Sequence, residues 1–179
     1  MSTKTLMTIE EFARMETADT EAYELVDGEL VPLSSPTPKH ARIRGRIEHS
    51  LSNYFALHPI GEPFGDVDCQ VVGGNVRRPD IAVFLGDRLG QVDLNRVPVP
   101  FAPDIAVEVL SPNESAVDVH RKVKEYLHAG SQEVWVLDHL NDQMFVHTGS
   151  DSVRVISGTG VLESPLLPGF CVLLRDLFA

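Results

Sequence analysis

The chain has 179 residues, 43% hydrophobic and 23% charged, enough apolar material for one domain with its own core and too much for disorder. Its formal net charge is −11, which argues against any role resting on a broadly basic surface for phosphate binding. No stretch approaches the roughly 18 apolar residues that span a bilayer, and the opening MSTKTLMTIEEF lacks the apolar run of a secretory signal, so a cytoplasmic protein without membrane association is expected.

Thr8-Ile9-Glu10-Glu11 has the form of a capping box and predicts a short helix over 9–15 that buries Ile9, Phe12 and Met15. Asp27-Gly28, set between Tyr23-Glu24-Leu25-Val26 and Glu29-Leu30-Val31, marks a hairpin. Ser34 to Pro38 interrupts the chain. The longest helical pattern follows, with Ile43, Ile47, Leu51, Tyr54 and Phe55 on one face and a stop at His58-Pro59-Ile60-Gly61. Phe64 to Val72 reads as a strand, Gly73-Gly74-Asn75 as a turn, and Arg78 to Leu85 as a buried strand beginning at its proline. Residues 86–103, with prolines at 98, 100 and 103, read as an irregular exposed connection.

Ile105 to Leu110 is a further strand, ended by Ser111-Pro112. Ala116, Val119, Val123, Tyr126 and Leu127 give a second amphipathic helix with Gly130 just beyond its end. Val134 to Leu137 is a core strand, and short strands follow at 144–147, 153–156 and 170–173, with turns at Asn141-Asp142, Gly149-Ser150 and Pro168-Gly169. The order helix, strand, strand, strand, helix, strand implies one α/β domain over 1–179. A mixed central sheet is flanked by helices, and β-hairpins are added at both ends.

Glu108 lies inside Ile-Ala-Val-Glu-Val-Leu, and burying an ionised carboxylate without a partner costs several kcal/mol. An ion pair or a protonated carboxyl would answer this, and so would a divalent cation shared with a second carboxylate. The motif Pro-Asp-Ile-Ala-Val occurs twice, at 79–83 and 103–107. Asp104 is four residues from Glu108 on the same strand, ~13 Å away at ~3.3 Å per residue, whereas two ligands of one Mg²⁺ lie within about 4 Å of each other. Asp104 is thereby excluded as a co-ligand. Asp80, on the preceding strand, can face Glu108 across a strand spacing of ~4.8 Å.

These residues carry a family resemblance. Pro79-Asp80 with Glu108 on the next strand, in this order of elements, resembles the PD-(D/E)xK nuclease superfamily. The blocks YELVDGELV (23–31), RRPDIAVFL (77–85), PDIAVEVLSP (103–112) and DVHRKVKEYLHAGSQEVWVLD (118–138) resemble the Uma2 family, also called DUF820, over nearly the whole chain. The resemblance implies a restriction-endonuclease-like fold and a metal-dependent nuclease, with Asp80, Glu108 and Lys122 as catalytic residues. Asp80, Glu108 and the Val109 carbonyl would hold Mg²⁺ or Mn²⁺. One departure is plain: the usual E-x-K places a lysine at position 110, which here is Leu110. The resemblance moves the lysine to Lys122, four residues before Tyr126. On the helical wheel Lys122 and Lys124 border opposite edges of the apolar stripe, so spacing alone leaves both open.

The same resemblance makes Glu24 a candidate additional acid, against the ordinary reading of a solvated hairpin side chain; Glu48 ranks below it. Lys39, Arg42, Arg44 and Arg46 cluster at the start of the long helix. Such a run is most often a solvated face, yet Arg42 and Arg46, together with Arg77 and Arg78, are the candidate phosphate contacts. His40 is placed to meet a phosphate or stack on Tyr23. Of the other histidines none forms a ligand pattern, and Cys69 and Cys171 read as reduced, mostly buried thiols. The expected partner is nucleic acid, DNA rather than RNA, bound weakly and in a salt-sensitive way, by a homodimer that concentrates the basic patches. The competing reading is a nuclease-like fold serving as a binding or assembly module with little hydrolysis.

Overall fold

The computed structural model describes residues 6–15, 22–112, 114–149 and 152–179; the first five residues of the N-terminal reading and Ser150 of one expected turn lie outside them. At the N-terminus the capping box forms: the Thr8 hydroxyl accepts from the Glu11 amide at 3.2 Å, and Glu11 Oε2 accepts from the Thr8 amide at 2.8 Å. Helix α1 is one turn, Ile9–Phe12, shorter than expected, and of its apolar residues Phe12 is the one fully buried. Strands β1 (Tyr23–Val26) and β2 (Glu29–Pro32) form the hairpin, with Asp27 and Gly28 both at positive φ, 52° and 76°. Gly28 has a second reason to lack a side chain, since a Cβ there would lie 2.6 Å from that of Leu6.

Helix α2 (Pro38–Leu57) is capped by Thr37 and opened by Pro38, a residue suited to the first helical position because its missing N–H would be unpaired there. The strand expected over 64–72 is instead two pieces, β3 (Gly61–Gly65) and β4 (Cys69–Gln70), parted where Asp66 takes φ 54°. A 3₁₀ turn at Val72–Gly74 leads to β5 (Val76–Arg77) and then β6 (Ile81–Leu85). The segment 86–103 is less exposed than its prolines suggested. It contains a helical turn, α3 (Gly86–Leu89), and its Val99 and Ala102 are buried, Val99 bridging to Cys69. There follow β7 (Ile105–Val109), α4 (Ala116–His128), β8 (Glu133–Asp138), β9 (Gln143–Thr148) and β10 (Ser152–Ser157). The chain closes with β11 (Val161–Ser164), β12 (Leu167–Leu173) and α5 (Leu174–Phe178), of which β11 and α5 had no counterpart in the sequence reading.

Six strands build the central sheet in the order β10-β9-β8-β7-β6-β3; β7 and β8 are parallel, joined across α4, and the other pairs are antiparallel. The hairpin β9–β10 therefore extends the main sheet. The N-terminal hairpin joins a separate four-stranded sheet, β2-β1-β5-β4. Alternation along β7 divides the core. Ile105, Val107 and Val109 pack against α2, α5 and Trp135, while Ala106 joins Val123, Tyr126, Val134 and Val136 beneath α4. Each fully buried Ile, Leu or Phe in these clusters contributes about 1.5–3 kcal/mol of transfer free energy. Among the described residues no helix is long and apolar enough to cross a membrane. Cys69 is buried as expected, but Cys171 is exposed.

Candidate active site

The antiparallel register Ile81↔Val107 sets Asp80 opposite Glu108, one step further along, and both face the α4 side of the sheet. The Val109 amide donates to Asp80 Oδ2 at 2.7 Å, and His40 Nε2 lies 3.3 Å from the same oxygen. Glu108 is buried and accepts a 2.8 Å hydrogen bond from the Tyr126 hydroxyl through Oε1. Its Oε2 is 3.6 Å from Lys122 Nζ. That ammonium also lies 3.0 Å from Glu114 Oε1 and 3.7 Å from Glu24 Oε1. Lys122 is buried, whereas Lys124 is exposed. A step of two residues along the helix rotates Lys124 away, and the step of four from Lys122 to Tyr126 keeps those two on the site. A pocket of about 710 Å³ opens onto these groups, bordered also by Arg44, Arg78 and the Ser34–Pro36 segment.

The charges are strongly coupled. Burial pushes the Glu108 carboxyl up to about 8, with Lys122 opposing and Asp80, Glu24 and Glu114 adding to the rise. Burial alone would lower Lys122, but Glu108, Glu24 and Glu114 outweigh it and raise the lysine. Lys122 is therefore a fixed ammonium, suited to holding an oxygen or stabilising negative charge and unsuited to accepting a proton. The hydrogen bond to Asp80 raises His40 despite its burial, and a hydrogen bond with the Val109 backbone adds to this. His40 Nδ1 has no hydrogen-bond partner among the described residues.

Several expected residues sit elsewhere than the sequence implied. Glu24 is no solvated hairpin acid: it is 1% exposed, its Oε2 takes Arg77 Nη1 at 2.7 Å and its Oε1 takes the Arg78 amide at 3.1 Å. Arg77 borders the pocket, but its guanidinium is committed to carboxylates. It is buried between Glu24 and Glu125, whose Oε2 it meets at 2.6 Å. Arg78 lines the pocket but is clamped by both oxygens of Asp68, at 2.7 and 2.8 Å. Arg46 turns away to the carbonyls of Leu177 and Ala179, and Arg42, though exposed, is not on the pocket wall. Of the basic run it is Arg44 that borders the pocket, paired with Asp66. Glu48 does not line it. His40 approaches Asp80. Asp104 caps the far end of the sheet, accepting from the Leu85 amide at 2.8 Å and Gln132 at 3.0 Å. Glu114 was missed. Its signal was the loop Ser111 to Ser115 between Glu108 and the helix bearing Lys122, with Glu114 Oε2 accepting from the Ser111 amide at 3.1 Å.

Among the described residues no group of three or more His, Cys, Asp or Glu side chains is arranged to hold a metal ion. Two carboxylates from adjacent strands and a backbone group remain, a set that suits a hard cation which keeps several of its waters, as Mg²⁺ does.

A mixed sheet with acids on two adjacent antiparallel strands and a lysine brought in by the following helix defines a restriction-endonuclease-like protein. The Uma2 family model, described as "Putative restriction endonuclease", matches residues 9–175, and the chain belongs to that family. A crystal structure described as a "putative nuclease belonging to DUF820" from Anabaena variabilis ATCC 29413 shares the fold, with a TM-score of 0.84 and 23% identity over 96% of this chain and 97% of that one. No curated protein matches the chain.

Proposed function

We propose that this protein is a Mg²⁺- or Mn²⁺-dependent endonuclease that hydrolyses phosphodiester bonds, DNA in preference to RNA. The observation that carries the reading is the meeting of Asp80 and Glu108 with the buried Lys122 at one open pocket. Family membership and the fold of the Anabaena protein support it. Asp80, Glu108 and the Val109 backbone would hold the cation, which when bound polarises a phosphate and lowers the pKa of a coordinated water. Tyr126 fixes the rotamer of Glu108 by its hydrogen bond to Oε1. Lys122, kept protonated, orients the attacking oxygen and stabilises charge growing on the phosphoryl oxygens. His40 meets the same Asp80 oxygen as the Val109 N–H and offers a cation at the pocket wall when protonated.

Plasmid, single-stranded DNA and RNA incubated with Mn²⁺ or EDTA, beside Asp80→Asn and Glu108→Gln, test the reading. Cleavage confined to the wild type with metal supports it; cleavage that persists in both variants removes these residues from the site. The second reading, a binding module with little hydrolysis, draws on the net charge of −11 and on Lys122 being already held by three carboxylates. Absence of both cleavage and calorimetric Mn²⁺ binding would favour it.

A further inference from the structure

The central sheet ends in an open edge. Strand β10 pairs with β9 on one side, and no described strand hydrogen-bonds its other side. On that side alternate residues of the six-residue strand turn N–H and C=O groups outward with no strand partner among the described residues, an arrangement that folded proteins usually block with lysine, proline or a bulge. The sequence Ser152-Val153-Arg154-Val155-Ile156-Ser157 contains no such guard. Its one charge, Arg154, is turned to the opposite face, where it donates to the Glu163 carbonyl.

The same strand carries an uncovered apolar face. Registers across the sheet put Asp80, Glu108, Val136, Phe145 and Val155 in one row on the α4 side. Helix α4 covers the row as far as Val136, and beyond it Phe145 is partly exposed and Val155 is 52% exposed. The neighbouring row ends in Val153, 48% exposed, opposite His147. A groove of about 390 Å³ runs along this margin between α4 and β9, with Phe145, Val119 and Leu140 in its wall.

We propose that this edge is the interface of a homodimer in which β10 pairs antiparallel with β10 of a second copy, so that the six-stranded sheet continues through a twofold axis. A second copy fits because an edge strand placed against itself satisfies both sets of main-chain groups at once, and closure by a twofold leaves no further edge at the junction. The twofold restricts the register. Antiparallel pairing keeps each residue on the face of its partner, so the axis must pass through a single residue position. Through Arg154 it would oppose two guanidiniums, which costs stability. Through Val155 it sets Val155 against Val155 and Arg154 against Ile156, and carries the exposed valines of both copies into one apolar strip. Elsewhere two copies of a chain with net charge −11 repel one another, so contact is directed to this margin, which carries no acid in β10.

Light scattering and sedimentation of the full chain test the interface independently of any nuclease activity. Twice the chain mass is expected for the wild type, and the single-chain mass for Val155→Lys with an unchanged circular dichroism spectrum. In a Cys171→Ser background, Val155→Cys is expected to form a disulfide-linked dimer on mild oxidation, while Leu94→Cys, exposed on a distant loop, is not. A monomeric wild type at high protein concentration overturns the proposal. So does a Val155→Lys variant that stays dimeric, or equal cross-linking at positions 155 and 94.

Discussion

Replacing Glu108 with Gln is expected to stabilise the metal-free protein. Glutamine keeps the shape of the side chain, and its oxygen can still accept the 2.8 Å hydrogen bond from Tyr126, but it carries no charge into a buried site. In the unfolded chain Glu108 ionises at its ordinary value of 4.5, whereas in the fold burial delays this to about 8. Between those values the folded state holds the extra proton. Wild-type stability therefore falls as pH rises through the window, by about 1.4 kcal/mol per pH unit. At pH 7 that penalty reaches about 3 kcal/mol, and relaxation around Lys122 leaves an observable gain of about 1–3 kcal/mol for Glu108→Gln. For a chain of this size the gain is a rise in Tm of about 2–10 °C. Thermal unfolding in EDTA from pH 5 to pH 9 should show the two proteins converging in acid and separating toward alkaline pH. With saturating Mn²⁺ the order should reverse, because only the wild type gains the binding free energy. A variant less stable than wild type at pH 8 in EDTA, or a gap that does not change with pH, would refute this account of Glu108.

Arg77 joins two buried carboxylates, so Arg77→Met is expected to cost about 3–5 kcal/mol by leaving Glu24 and Glu125 without their cation, measured as a fall in the urea midpoint. Glu125 behaves oppositely to Glu108. Burial pushes it upward, but Arg77 and Arg121 outweigh this and lower it, so its contribution is full above the ordinary carboxylate range and lost as pH falls through the lowered value. The destabilisation from Glu125→Gln should accordingly be large at pH 7 and vanish in strong acid, as denaturant titrations at both pH values would show. Lys122→Ala should reduce plasmid cleavage by about 100-fold or more, and Lys124→Ala should leave it within about twofold, in initial-rate assays with Mn²⁺; a larger loss from Lys124→Ala would reassign the lysine.

How much of this was legible in the sequence depended on whether the signal was local. The hairpin at Asp27-Gly28, the two long helices and the strands at Ile81 and Ile105 announce themselves through turn chemistry and periodicity, and the opposition of Asp80 to Glu108 follows from strand spacing. What stayed hidden was pairing at long sequence separation. Glu24 looks like a surface acid of a hairpin until the four-stranded sheet brings Arg77 alongside it, 53 positions away. Arg77 and Arg78 look like a basic patch beside the active site until Glu125 and Asp68 claim them. Val99 and Ala102 vanish into a proline-rich segment that reads as solvent-facing, because the bridge to Cys69 has no local signature. Lys122 was separable from Lys124 by resemblance alone. In the fold the distinction is physical, since one stem lies buried beside three carboxylates and the other is in water.

The net charge of −11, which looked hostile to a nuclease, acquires a definite meaning at the pocket. Its wall carries six acids, Glu24, Asp66, Asp80, Glu108, Glu114 and Asp118, against five Lys or Arg residues. Arg77, Arg78, Arg121, Arg44 and Lys122 are each already paired with a carboxylate. None of these cations is left free to attract a phosphate, and once Glu108 ionises the surplus charge at the centre is negative. In the proposed activity a phosphodiester enters favourably only once a divalent cation has reversed the local sign, so nucleic-acid binding itself, and not only hydrolysis, should require metal. Fluorescence anisotropy with a labelled oligonucleotide in Ca²⁺, which occupies carboxylate sites of this kind, should show binding that EDTA abolishes and that Glu108→Gln weakens in Ca²⁺. Equal affinity in Ca²⁺ and EDTA would mean that the nucleic acid is held elsewhere on the molecule, and the link between this pocket and phosphate recognition would fall.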